Sequence, residues 1–189
     1  MGTEIQKYNP KPEHFPNNQD GFNDGLILTH PEWIKQIHKN YLDAGSDCIE
    51  TNSFGSNKIK LDEYGFGNQT VDFNKKISQL AVEVCSEYAG KPRYVIGSME
   101  TSQDILEVKL GIEACHDAMK KTGKKVPMIA NATLDQYGKM LLGTNIQAAY
   151  TTVSDMGIDV FGLNCSTGPI EMTPSVRWLD EQNEHNLLV

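Results

Sequence analysis

Short apolar segments alternate with segments of helical periodicity from residue 29 to the end of the chain, and this alternation constrains the fold most. The strand-like segments lie at 47–51, 94–99, 126–134, 159–165 and 187–189, and the helical segments at 29–45, 71–88, 105–119, 145–157 and 173–183. Strands that alternate with helices in this way pair in parallel through right-handed crossovers. The sequence therefore predicts an α/β fold built on a parallel sheet.

Local signals predict where two of the helices begin and where the chain is irregular. Thr29 is predicted as the N-cap of the first long helix, with Glu32 completing a capping box. In the last helix, Thr173 is predicted as the N-cap and Pro174 as the first helical residue. Residues 1–28 are rich in Asn, Pro and Gly and are predicted to be mostly loop. A length of 189 residues fits a single domain, 1–189.

Composition and charge disfavour several classes of partner. The formal net charge of -8 argues against a nucleic-acid partner and against an anionic membrane surface. No apolar run approaches the roughly 20 residues that a membrane span needs, and the N-terminus has no signal-peptide pattern. A cytoplasmic location is therefore expected. The sequence also lacks Gly-x-Gly-x-x-Gly and Walker A motifs, which disfavours a nucleotide-binding domain.

The four cysteines differ in their expected surroundings. Cys115 falls on the apolar stripe of its helix and Cys85 borders another stripe, so both are predicted to be buried structural thiols. Cys48 lies inside a strand and is predicted to be in the core. Cys165 ends its strand beside Asn164 and a polar loop, at the sheet edge where parallel α/β folds collect their chemistry.

Three interpretations of Cys165 follow from its position: an apolar plug, a metal ligand or a nucleophile. A cysteine nucleophile needs a neighbouring base, and none of the five histidines is well placed in the sequence for that role. Zinc favours cysteine sulfur, although one cysteine is not a zinc site. Two carboxylates, Glu50 and Glu100, also lie near strand ends. Each is either a cap or loop carboxylate or the partner of a substrate ammonium group.

Several stretches resemble the homocysteine S-methyltransferase family, most closely the homocysteine-binding module of its cobalamin-dependent methionine synthases. The matching stretches cover nearly the whole chain: MGTEIQ (1–6), LTHPEWIKQIHKNYLDAGSDCIETNSFGSNKIKLDEYG (28–65), VIGSM (95–99), ETSQD (100–104), GKMLLGTN (138–145) and GLNCSTGP (162–169). The pair ETNSFG and GLNCSTGP, in this order, is fairly specific.

The resemblance implies a TIM-type (β/α)8 barrel that holds zinc through three cysteine thiolates, one of them Cys165. Zinc would bind the thiol of homocysteine and lower its pKa, and the thiolate would take a methyl group from methylcobalamin to give methionine. By the same resemblance, Glu100 would hold the amino group of homocysteine. The other residues expected at the substrate are Thr51, Asn52, Asn164 and Ser166. Methylcobalamin and methyltetrahydrofolate would be bound by other modules of the family.

Three departures from the family pattern predict an incomplete barrel. The Gly-Gly-Cys-Cys pair that supplies the other two zinc ligands is absent, the sequence starts at the turn after the first family strand, and Met99 runs directly into Glu100. We therefore expect an incomplete barrel of parallel strands that lacks strands 1 and 8 and most of strand 4. The alternative function is an incompetent remnant that binds homocysteine weakly, needs a complementing fragment or does not fold stably. A cobalamin-binding domain is a further expected partner.

Overall fold

The computed structural model describes residues 1–99, 105–165, 167–182 and 185–189, without the side chains of residues 106 and 107. The chain divides into two compact units, Met1–Glu100 and Thr101–Val189. Both units contain short parallel strands, which confirms the predicted α/β class. Each of the five predicted strands is present with three or four residues; the first four are shorter than predicted, and the last is shifted by one residue.

The first unit contains a two-stranded parallel sheet and helices of very different length. The helices are α1 (Gly2–Gln6), α2 (Leu26–Thr29), α3 (Pro31–Asp43), α4 (Lys58–Glu63) and α5 (Thr70–Ser86), and the strands are β1 (Cys48–Glu50) and β2 (Tyr94–Ile96). Single 3-10 turns lie at Pro12–His14, Pro16–Asn18, Asn23–Gly25 and Gly67–Gln69. In the sheet, Cys48 lies opposite Tyr94 and Glu50 lies opposite Ile96.

Residues 1–28 are more ordered than the predicted loop. Much of this segment forms α1, three 3-10 turns and most of α2. The side chains of Ile5, Phe15 and Phe22 are buried in the core of the first unit, and the ring of Phe22 stacks on Tyr64 with centroids 4.1 Å apart. The loop prediction fails because burial of these apolar side chains lowers the free energy of the folded chain. That gain stabilises short helical turns between the Asn and Pro residues.

The first long helix begins later than its capping signals indicate. Thr29 ends α2, whereas His30 is the N-cap of α3 and Pro31 is its first residue. The ring Nδ1 of His30 lies 2.9 Å from Oε1 of Glu32. The predicted capping box from Thr29 to Glu32 is therefore wrong, because Thr29 is already helical and Glu32 pairs with the histidine ring.

The second unit contains a three-stranded parallel sheet. Its elements are α6 (Ile105–Thr122), β3 (Ile129–Ala132), α7 (Ile146–Ser154), β4 (Val160–Leu163), α8 (Pro169–Gln182) and β5 (Asn186–Leu188). The strand order is β3-β4-β5, with Ala132 opposite Leu163 at the carboxyl end of the first pair. Over the described ranges, no helix of either unit combines the length and the apolar character needed to cross a membrane.

The last helix begins four residues before the predicted N-cap. It starts at Pro169, so Pro174 lies inside it and Thr173 is not its N-cap. The hydroxyl of Thr173 donates to the backbone oxygen of Pro169 at 2.7 Å. Pro169 takes the first-turn position that suits a proline, while Pro174 removes one backbone donor from the helix interior.

The cysteine environments differ in part from those predicted. Cys48 is exposed rather than in the core. Ile49 is only 4% exposed and packs in the core of the first unit, so strand alternation sends Cys48 to the opposite face. Cys85 and Cys115 are partly buried, and burial raises the pKa of both thiols.

Gly162 in β4 has no room for a side chain. A Cβ at this position would collide with Oδ1 of Asn131 and lie 2.8 Å from the backbone oxygen of Leu188. We expect Gly162→Ala to lower the free energy of unfolding by about 1–3 kcal/mol, because the Leu188 oxygen belongs to a paired strand. Urea denaturation measures the change. Gly97→Ala is the matched control, since a Cβ there meets nothing within 4 Å. Equal losses in the two variants would contradict the prediction.

Candidate functional site

Polar loops follow the carboxyl ends of β1 and β2, and hydrogen bonds join them. Beyond the end of β1, the backbone N–H of Thr51 donates to the oxygen of Ile96 at 2.9 Å. The Thr51 hydroxyl accepts from the backbone N–H of Ser98 at 2.9 Å, and the Ser53 hydroxyl donates to the Ser98 oxygen at 2.6 Å. The two hydroxyls are 2.7 Å apart. Thr51 and Ser53 are buried, so this network holds the two strand-end loops in register.

Asn52, which we predicted at the substrate, is buried at the same strand end. Its Nδ2 donates to the backbone oxygen of Asn23 at 2.9 Å, which ties the 23–25 turn to the loop after β1. Within the described part of the chain, three buried oxygens have no hydrogen-bond partner: Gln19 Oε1, Asn23 Oδ1 and Ser56 Oγ. Sequence reasoning missed these residues, because only burial distinguishes them from ordinary loop polar groups.

Cys165 follows β4 in an unusual backbone conformation. Its φ is 61°, in the left-handed region that non-glycine residues rarely adopt, and its side chain is exposed. The backbone oxygen of Cys165 accepts from the N–H of Thr167 at 2.8 Å, and the N–H of Asn164 donates to the oxygen of Ala132 at 3.2 Å. Backbone strain of this kind is concentrated at functional sites, and here it turns the cysteine out of the strand direction.

Two side-chain hydrogen bonds lead to the sulfur of Cys165. Thr133, directly after β3, donates from its hydroxyl to Oδ1 of Asn164 at 3.2 Å. Nδ2 of Asn164 then donates to Sγ of Cys165 at 3.4 Å. Asn164 and Cys165 were predicted site residues, whereas Thr133 was not. The sequence shows that Thr133 and Asn164 each follow a strand, but the pairing of those two strands, which brings them together, is seen only in the structure.

The predicted site residues thus fall into two groups. Thr51 and Asn52 lie together at the strand ends of the first unit, and Asn164 and Cys165 lie together at those of the second. Two further predicted residues, Glu100 and Ser166, lie outside the described residues. Among the residues that are described, no three His, Cys, Asp or Glu side chains are grouped so that they could hold a metal ion.

Comparison with known proteins identifies one family. The family model described as Homocysteine S-methyltransferase matches residues 1–99 and, separately, residues 98–189. The chain is 32% identical over 219 residues to methionine synthase of Mycobacterium tuberculosis and 30% identical over 221 residues to that of Mycobacterium leprae. These alignments cover 95% and 96% of the chain but only 18% of each relative.

Both alignments are longer than the chain itself, which has 189 residues. The relatives therefore carry residues inside the aligned region that this chain lacks. The two separate family matches meet at residues 98–99.

Two solved structures have the same fold as this chain. The metallated form of the homocysteine methyltransferase MmuM from Escherichia coli matches with a TM-score of 0.76, covering 100% of this chain and 80% of that one. The oxidised form of the same enzyme matches with a TM-score of 0.75 over 100% and 79% of the two chains. Sequence identity is 15% in both cases, so the likeness supports a shared fold alone.

Proposed function

Since this chain belongs to the homocysteine S-methyltransferase family, we propose that it is a module in which the sulfur of homocysteine accepts a methyl group to give methionine. The observation that carries the proposal is the pair of strand-end motifs. ETNSFG begins at the last residue of β1 and GLNCSTGP begins within β4, and hydrogen bonds organise the described part of each motif at the carboxyl end of its parallel strands. In parallel α/β folds this edge carries the chemistry.

We assign the groups of homocysteine to the predicted residues by their chemistry. Glu100 is proposed to hold the ammonium group, since a carboxylate is its natural charge partner. The remaining contacts are proposed to come from hydroxyl and amide side chains at the strand ends: Thr51, Asn52, Asn164 and Ser166. In the reaction, a bond forms between sulfur and the methyl carbon, the bond between that carbon and its donor breaks, and the thiol proton is released.

Zinc is the metal that the family resemblance implies, and the described residues supply one suitable ligand. Cys165 has an exposed thiol at a strand end, and zinc favours such sulfur ligands. A zinc ion in a protein normally takes three or four protein ligands. No such group of side chains occurs over the described ranges, so these residues do not form a complete zinc site. We propose Cys165 as one zinc ligand, and the two further cysteine ligands of the family pattern are absent from the sequence.

The methyl donor proposed is methylcobalamin, presented by a separate cobalamin-binding domain, with methyltetrahydrofolate bound by a further module. The sequence similarity to methionine synthases supports this assignment, and the chain spans only 18% of their length. The same proposal includes a cytoplasmic location and a single domain, 1–189, folded as an incomplete TIM-type barrel without strands 1 and 8 and most of strand 4. The two family matches that meet at residues 98–99 support the internal gap.

One observation favours a second candidate function. Both relatives carry residues inside the aligned region that this chain lacks. A chain without those residues fits the remnant alternative, in which homocysteine binds weakly or a complementing fragment is needed for methyl transfer.

The proposal is tested by incubating the purified full chain with homocysteine and methylcobalamin and measuring methionine by mass spectrometry. We expect methionine to form, and Cys165→Ser to reduce its rate of formation at least about a hundredfold, because the proposed ligand is lost. Cys48→Ser is the matched control, since Cys48 is also an exposed thiol but lies at the start of β1. Wild-type rates are expected for this control.

Calorimetric titration with homocysteine separates the two candidate functions. Binding without methionine formation supports the remnant alternative and overturns independent activity. Absence of both binding and methionine formation overturns independent activity and weak binding by the chain alone, and only the version that needs a complementing fragment remains.

A further inference from the structure

We infer that Thr133 is a positioning residue that sets the direction in which the side-chain amide of Asn164 faces the sulfur of Cys165. The inference rests on the proposed function only in taking Cys165 as the functional sulfur. Thr133 does not touch that sulfur, so its role runs entirely through Asn164.

The two hydrogen bonds select one orientation of the Asn164 amide. The Thr133 hydroxyl donates to Oδ1 at 3.2 Å, and Nδ2 donates to the sulfur at 3.4 Å. An amide oxygen only accepts and an amide nitrogen only donates. If the amide were reversed, the Thr133 hydroxyl would have to accept from Nδ2 and the Cys165 sulfur would have to donate to Oδ1, and a sulfur that binds a metal has no hydrogen to donate. The orientation in the structure is therefore the one that suits the proposed function of this sulfur.

Strand pairing brings Thr133 and Asn164 together. Ala132 and Leu163 are opposite each other at the ends of β3 and β4, and the next residues along the two strands are Thr133 and Asn164. The backbone N–H of Asn164 donates to the oxygen of Ala132 at 3.2 Å, which continues the strand pairing by one bond. The paired strands therefore hold Thr133 and Asn164 next to each other.

The backbone at Cys165 makes this support necessary. A non-glycine residue is strained in the left-handed region, and Cys165 has a φ of 61°. The bond from Thr167 N–H to the Cys165 oxygen holds the main chain. The Asn164 amide holds the side chain, because its N–H occupies one side of the sulfur and leaves the remaining lone pairs for an incoming partner.

Substitutions at Thr133 test the inference in the full chain without using methyl transfer. Thr133→Val removes the hydroxyl and keeps the branched shape, whereas Thr133→Ser keeps the hydroxyl. The first readout is hydrogen exchange of the Asn164 side-chain amide, followed by NMR. We expect exchange to become about fivefold faster in Thr133→Val, as for the loss of one ordinary hydrogen bond, and to return toward the wild-type rate in Thr133→Ser.

The second readout is the alkylation rate of Cys165 by iodoacetamide at pH 7, resolved by peptide mass spectrometry. We expect a changed alkylation rate in Thr133→Val, because the amide N–H beside the sulfur loses its fixed orientation, and no further change by Thr133→Val in the Asn164→Ala background. Cys48, the other exposed thiol, is the internal control and is expected to react at an unchanged rate.

Three results would overturn the inference: unchanged Asn164 exchange in Thr133→Val, failure of Thr133→Ser to restore it, or an equal effect of Thr133→Val in the Asn164→Ala background. If Thr133→Val does not fold, Thr133→Ala takes its place with the same expectations. Because neither readout involves homocysteine, a chain that fails to transfer methyl groups still gives a decisive result for Thr133.

Discussion

Replacing Phe161 with alanine is expected to lower the free energy of unfolding by about 3–5 kcal/mol. Phe161 is the second residue of β4 and is 2% exposed. Its ring meets that of Tyr150 edge to face, with centroids 5.3 Å apart and an interplanar angle of 88°. The substitution removes this contact and leaves a cavity in the core of the second unit. Urea denaturation followed by circular dichroism measures the loss.

The matched control for Phe161 is Phe54→Ala in the loop after β1. Phe54 is 57% exposed, so we expect its removal to change stability by no more than about 0.5 kcal/mol. A small loss in Phe161→Ala, comparable to that in Phe54→Ala, would show that β4 does not sit in a packed core. The assignment matters for the site, because β4 carries the loop that contains Asn164 and Cys165.

Lowering the pH from 6.5 to 5 is expected to reduce the free energy of unfolding by about 1.5 kcal/mol through His38 alone. His38 lies in α3, is 1% exposed, and has no hydrogen-bond partner at Nε2 within the described part of the chain. Burial, with a smaller contribution from the N-terminal charge, lowers the pKa of His38 from 6.5 to about 4.

Proton linkage explains why the free energy of unfolding falls as the pH is lowered. The unfolded chain takes up a proton at His38 as the pH falls through 6.5, whereas the folded chain resists protonation until about pH 4. The contribution of His38 is therefore fully present above pH 6.5 and is lost progressively as the pH falls toward 4.

His38→Gln tests this assignment because it removes the titrating group. Urea denaturation at several pH values between 6.5 and 5 gives the dependence of stability on pH for both proteins. We expect a shallower dependence in the variant, whatever its absolute stability. Identical slopes for the variant and the wild type would assign the acid sensitivity to other groups.

The sequence predicted those features that depend on neighbours along the chain. Alternation of apolar and helical segments predicted all five strands and the parallel α/β class, because the periods of strands and helices are local properties. Cys165 was predicted to end its strand for the same reason, since a run of apolar residues that ends in polar ones marks a strand end; β4 ends at Leu163, two residues earlier.

Local signals failed where partners distant in sequence compete for the same residues. Thr29 has the side chain of an N-cap, yet packing of residues 26–29 as a helical turn moves the cap of α3 to His30. Residues 1–28 have a loop-like composition, yet the side chains of Ile5, Phe15 and Phe22 are buried in the core of the first unit. In each case the observed structure depends on the free energy of burying side chains against residues distant in sequence, which a short stretch of sequence does not reveal.

By itself, the sequence determined the order and type of the elements and the strand-end position of Cys165. Only the tertiary structure decided that Cys48 faces away from the core, that Thr133 reaches Asn164, and that Asn164 in turn reaches the sulfur. The physical reason is that periodicity acts between residues a few positions apart. Which face of a strand is covered, and which loops meet, depends on strands that are paired across about 30 residues of intervening chain.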